Sequence, residues 1–100
     1  MAYTYRLHPK ADEDYTAAYV WYEDKQEGLG GKFIIAVREK IEAIALQPEI
    51  YGSKEKKEYR EALVKGFPYI IVYKIYKGKK EIFISSVHHA RKHPKNKYRK

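Results

Sequence analysis

The chain has 100 residues and no cysteine, enough for one compact domain and incompatible with a disulfide scaffold or a thiolate metal site. Its formal net charge of +8 is unevenly spread: residues 1–50 carry six Lys/Arg against nine Asp/Glu, and residues 51–100 fifteen against four, so the halves stand at −3 and +11. Such a gradient points to a positive face that meets a polyanion or an acidic protein segment; with no apolar leader after Met1 and no apolar run of about 20 residues, a soluble cytoplasmic protein with no membrane partner is expected.

Tyr3, Tyr5 and Leu7 alternate with Thr4, Arg6 and His8, the period-2 signature of a strand, which Pro9 closes. Proline also suits the first turn of a following helix, where its missing N–H is no loss. Ala11, Tyr15, Ala18, Tyr19 and Tyr22 then recur at helical spacing, so residues 10–25 read as an amphipathic helix with acids in its first turn. Gly28, Gly30 and Gly31 interrupt that pattern. After them Phe33, Val37, Ile41 and Ile44 set out a second helix that stops before Pro48, and a short glycine turn makes the two an antiparallel hairpin.

Residues 49–58 are polar and loop-like, and three β-rich runs follow: 59–65, 69–76 and 81–87. The separators Gly66-Phe67-Pro68 and Lys77-Gly78-Lys79-Lys80 are turn-length, which predicts an antiparallel meander. Residues 89–100 hold six Lys/Arg and no acid and form a basic tail. The reading is an α+β fold of order β-α-α-β-β-β, in one domain over residues 1–100, with an antiparallel sheet packed on a helical hairpin.

The glycines before Lys32 lack the spacing and the Ser/Thr of a phosphate-binding loop, so a helix–helix turn is the better reading. His88, His89 and His93 are close in sequence, but His88 and His89 on a strand point to opposite faces and no carboxylate lies nearby, so no metal site is assigned. A histidine beside Arg91 has the right ordinary pKa for acid–base work on a phosphodiester. It equally suits a sheet end with one ring packed and the other solvated. Tyr69, Tyr73 and Tyr76 interleave with Lys65, Lys74 and Lys77, as in base-stacking surfaces, although most tyrosines here fall at core spacing. The cluster Asp12-Glu13-Asp14 reads as a solvated helix N-terminus.

The ordered set Pro9-Lys10-Ala11-Asp12-Glu13-Asp14, Trp21-Tyr22-Glu23, Gly28-Leu29-Gly30-Gly31-Lys32-Phe33 and Ile44-Ala45-Leu46-Gln47-Pro48 resembles the first half of toxins of the RelE/ParE superfamily, also called plasmid stabilization proteins. Tyr59-Arg60, Phe67-Pro68-Tyr69, Val72-Tyr73 and the stretch from Ile84 through His88-His89-Ala90-Arg91 to Pro94 are similar to its second half. The resemblance implies a microbial-ribonuclease-like sheet on a helical hairpin, no cofactor, and a cognate antitoxin whose C-terminal segment wraps the toxin. A homodimer or a toxin–antitoxin heterotetramer is compatible with it.

Two branches follow from the resemblance: RelE-like toxins cut messenger RNA on the ribosome, whereas ParE-like toxins poison DNA gyrase. The RNA-cutting branch carries an arginine in the central strand where this chain has Ile70, and Arg91 aligns with that branch only after a one-residue shift. Losing a cation removes part of the stabilisation that a charged phosphorane needs, so a ParE-like, gyrase-directed toxin is expected. Target binding is assigned to Arg60, Lys65, Arg91, Lys92 and Lys95. The enzyme alternative, a metal-independent, ribosome-dependent endoribonuclease, would use His88, His89, Arg91 and Tyr98. A third alternative is a non-toxic module that only binds an antitoxin.

Overall fold

The computed structural model describes residues 2–52, 58–92, 95 and 97–100. Its elements run β1 (Thr4–Leu7), α1 (Pro9–Lys25), α2 (Leu29–Leu46), β2 (Arg60–Leu63), β3 (Tyr69–Tyr76), a short 3₁₀ turn (Lys77–Lys79) and β4 (Glu81–His89). Pro9 opens α1, and the His8 Nδ1 accepts the Lys10 N–H at 3.0 Å, which satisfies one of the free donors of the first turn. Asp12 in that turn and Lys25 in the last complement the helix dipole.

The second helix starts earlier than glycine content suggests, at Leu29, and takes Gly30 and Gly31 into its first turn. Two contacts explain this. Gly28 caps the helix at φ 87°, a left-handed conformation that glycine adopts freely. The Glu23 carboxylate then accepts from the Gly28 and Gly30 N–H groups at 2.9 Å each, placing a negative charge on the positive end of α2. Gly30 is required by space as well: a Cβ there would lie 2.8 Å from the Tyr19 carbonyl and ring. The helices therefore cross at backbone contact, and Phe33, Val37, Ile41 and Ile44 of α2 are buried with Ala11, Ala18 and Tyr22 of α1.

The sheet has the order β1-β4-β3-β2. Strands β2, β3 and β4 form the expected antiparallel meander, with Ala62 opposite Ile71 and Ile71 opposite Val87. β1 adds to β4 in parallel, Leu7 opposite Ile84, so the sheet is mixed rather than antiparallel throughout. A three-strand meander fixes only its own directions; the sense of β1 is set by the helical hairpin and the connection after it, on which period-2 patterning is silent.

One sheet face, with Ile71, Tyr73, Ile82, Ile84 and Val87, packs on the helices. A register irregularity beside Val72 and Tyr73 leaves Ser85 without a directly opposed residue on β3. Ser85 and Ser86 both reach the opposite face, where both hydroxyls donate to the Lys97 carbonyl. The buried Tyr73 hydroxyl donates to the Pro48 carbonyl at 2.6 Å, tying the end of α2 to the central strand, and burial pushes that phenol well above its usual range.

Candidate functional site

β1 covers β4 only as far as Ile84, where the His8 N–H reaches the Ile84 carbonyl. Beyond that point the β4 edge faces an open cleft of about 770 Å³, bounded by α1 on the other side. The α1 wall offers Glu13, Asp14 and Trp21; the facing wall offers His88 and His89 of β4, Tyr69 of β3, and Lys92 and Arg99 from the chain after β4. Trp21 is 55% exposed, large for an indole, with the Lys25 ammonium 4.9 Å from the ring centre.

The edge itself is guarded by an ion pair. The Val87 N–H donates to Asp14 Oδ2 at 3.2 Å, and the Arg99 guanidinium bonds Asp14 Oδ2 at 2.8 Å and the Ser85 carbonyl at 3.1 Å. Charged groups placed on an exposed strand edge keep other strands from adding to it. Asp14, expected to be solvated, is thus part of the sheet boundary, whereas Asp12 and Glu13 are exposed.

Across the open sheet face runs the segment 97–99. The Lys97 ammonium lies 3.0 Å from Glu61 Oε2, and the Tyr98 hydroxyl donates to the same oxygen at 2.7 Å. The Arg99 N–H donates to the Ser85 hydroxyl, and the Tyr59 hydroxyl donates to the Arg99 carbonyl at 2.9 Å. Tyr59 and Tyr98 pack with ring centres 5.0 Å apart.

The residues singled out from the sequence separate into groups. His88 and His89 do face opposite ways. His89 lies edge-on to Tyr69 at 5.1 Å, and Tyr69 packs in turn on Phe33 beneath the helices. His88 is buried, its Nε2 3.2 Å from the Lys92 carbonyl; burial lowers its pKa, partly offset by that carbonyl. The turn after β4 is built on this pair of rings, since the Arg91 N–H donates to His89 Nδ1 at 3.1 Å. Arg91, Lys92 and Lys95 are exposed. Tyr98 is engaged by Glu61.

Arg60 lies apart from these. Its guanidinium holds the carbonyls of Glu49 and Tyr51 at 3.2 and 2.6 Å, on the connection that follows α2. Lys65 is exposed in the β2–β3 turn. His93, Pro94 and residues 53–57 of the expected loop 49–58 lie outside the described residues.

Sequence reasoning assigned no site role to Glu61, Asp14, Trp21 or Arg99. The one local signal was Ser85-Ser86, two hydroxyls inside an apolar strand, which must find partners when buried. Among the described residues no group of three or more His, Asp or Glu is placed to hold a metal ion. No helix there is long and apolar enough to cross a membrane.

Residues 5–94 match the family model for the ParE toxin of the type II toxin–antitoxin system, parDE. The chain belongs to the ParE toxin family. The toxin is also similar in fold to several solved structures. The E. coli RelE toxin, in a mutant form bound to an antitoxin RelBc peptide, superposes with a TM-score of 0.69 at 18% identity, covering 92% of this chain and 87% of that one. The chromosomal ParDE system of P. aeruginosa gives 0.66 at 19% identity, over 90% and 98%. The RelBE2 toxin–antitoxin complex of Mycobacterium tuberculosis gives 0.63 at 20% identity, over 89% and 99%. Curated protein sequences contain no match to this toxin. Identities this low establish the shared fold of two helices on a four-stranded sheet, and the family match establishes the class of toxin.

Proposed function

We propose that the toxin, acting as one domain in the cytoplasm, arrests growth by binding a protein target, DNA gyrase, and that a cognate antitoxin neutralises it. The observation that carries this reading is the charge state of the open sheet face. Cleavage of RNA by its own 2′-hydroxyl needs cations aimed at the phosphate, without carboxylates beside them. Here Lys97 is paired with Glu61 and Arg99 with Asp14. Ile70, opposite His88 in the β3–β4 ladder, puts an aliphatic group where the RNA-cutting branch has an arginine.

The exposed cations Arg91, Lys92 and Lys95 after β4, of which Lys92 lines the cleft, with Lys65 at the β2–β3 turn, supply the contact surface. An antitoxin segment with acidic and apolar side chains is complementary to that surface and to Trp21. Similar folds bound to antitoxins, as in the RelE complex with its RelBc peptide, support such a partner. Growth arrest that an antitoxin relieves is compatible with a role in plasmid stabilization.

Induced expression should stop growth, and purified toxin should inhibit gyrase supercoiling while leaving messenger RNA intact in a ribosome extract. Messenger cleavage without an effect on gyrase would move the toxin to the RNA-cutting branch. Unimpeded growth would leave only an antitoxin-binding module.

A further inference from the structure

The β3–β4 hairpin ends in the run Lys77-Gly78-Lys79-Lys80, all four residues exposed. Ties at its base hold it in one shape. The Lys80 N–H donates to the Lys77 carbonyl at 3.1 Å, the Thr4 N–H donates to the Lys80 carbonyl at 3.1 Å, and the Lys77 ammonium lies 3.1 Å from Glu49 Oε1. Lys80 stands at φ 50° and ψ 49°, the only non-glycine residue at positive φ among the described residues, while Gly78 in the same turn is not at positive φ. A left-handed backbone is unfavourable for a residue with a Cβ and is adopted freely by glycine. A strained lysine two residues from an unstrained glycine marks a place where the fold gives up stability for a side chain, and that side chain is a cation.

The fold itself does not use the cations at the tip. Glu49 is engaged by Lys77 and Glu81 by Arg6, and among the described residues Lys79 and Lys80 join no ion pair. The chemistry of the turn also narrows its partner. It contains no apolar residue, whereas a protein partner is held by buried aromatic and aliphatic anchors. A nucleic-acid backbone needs only cations, which bind it by releasing its condensed counterions. Single strands are gripped by open aromatic rings as well, and the ring next to the turn, Tyr76, lies against the Lys74 ammonium at 5.5 Å. A duplex, read through its phosphates, fits these terms.

We propose that the β3–β4 turn is a phosphate contact for a nucleic-acid duplex, with the Lys79 and Lys80 ammonium groups on the backbone and Lys77 fixing the turn. It lies at the opposite end of the β3–β4 ladder from Arg91 and Lys92: Tyr76 pairs with Glu81 at this end and Tyr69 with His89 at the other. The eight residues of β3 separate the two ends by about 25 Å, so both can be occupied together. The assignment does not depend on which cellular target the toxin has.

Anisotropy titrations of the full chain with a duplex of about 20 base pairs, made as DNA and as RNA, test it across salt concentrations. Lys79→Gln with Lys80→Gly should weaken binding at least about tenfold at about 0.1 M salt and reduce the slope of log K against log[salt] by about 1.5–2, the share of two phosphate contacts. That variant should melt no lower than the unaltered chain, since glycine suits the left-handed position, which separates lost binding from lost fold. Lys10→Gln with Lys32→Gln removes the same charge from the two helices and should leave the slope unchanged. The tighter of the two duplexes identifies the source of the phosphates. An unchanged slope in the turn variant, an equal fall in the helix variant, or a single strand bound as tightly as the duplexes would overturn the proposal. So would turn-dependent binding of polyglutamate as tight as that of the duplexes, which would assign the turn to acidic proteins.

Discussion

The Arg99 guanidinium meets the Asp14 carboxylate at 2.8 Å, joining two positions 85 residues apart in the chain. Asp14 also accepts the Val87 N–H, so one side chain holds both the segment 97–99 and the strand edge. Asp14→Ala should leave the Arg99 charge without its carboxylate and that N–H without its acceptor, and cost about 1–3 kcal/mol, toward the lower end because both side chains keep some contact with water and Arg99 keeps the Ser85 carbonyl. Asp14→Asn, which keeps an acceptor, should cost less. Urea unfolding of the two variants measures the difference, and equal midpoints would show that the charge contributes nothing.

Gly30 and Gly31 should respond in opposite directions. A Cβ at Gly30 meets the Tyr19 backbone carbonyl at 2.8 Å, whereas one at Gly31 meets nothing within 4 Å. Gly30→Ala must push the helices apart and should lower stability by about 1–3 kcal/mol. Gly31→Ala removes chain entropy from a helical position and should raise it by up to about 1 kcal/mol. Thermal melts of the two variants should shift in opposite directions.

His88 makes the fold sensitive to acid. Burial lowers its pKa below the ordinary 6.5, so the folded state resists a proton that the unfolded chain accepts. The sign follows: its contribution is fully present above pH 6.5 and is lost as the pH falls from there through the lowered value. Replacing His88 with Gln should flatten the stability profile in that window. A profile unchanged by the substitution would assign the acid sensitivity to other groups.

Arg91 and Lys92 are exposed in the turn after β4, and Lys92 lines the cleft. Reversing both charges, Arg91→Glu with Lys92→Glu, should change the melting temperature by no more than a few degrees, since surface substitutions cost within about 0.5 kcal/mol. It should weaken gyrase inhibition and antitoxin binding about tenfold or more, with the salt dependence of association reduced. Undiminished inhibition would place the contact surface elsewhere.

Much of this architecture can be read in the sequence, because burial imposes a period on it. Phe33, Val37, Ile41 and Ile44 announce α2, and the apolar run 69–76 announces the central strand. Gly30 was legible as an interruption but not as a contact, since its reason lies on the Tyr19 backbone of the other helix. The site was less legible still. A tail of lysines and arginines without acids looks solvated until the fold supplies Glu61 and Asp14 from positions far away in sequence. Arg60 illustrates the reverse: a cation attractive as a ligand contact, with its guanidinium on the backbone carbonyls of Glu49 and Tyr51.

The pairing of the first strand with the last carries a consequence for biosynthesis. Thr4–Leu7 emerges from the ribosome early, yet its neighbour in the sheet is Glu81–Ile84. Until that late stretch is translated, the opening strand has no edge to join and α1 no finished layer to rest on. Contacts so distant in sequence form slowly. The cleft beside the uncovered end of β4 is therefore among the last features of the molecule to take shape.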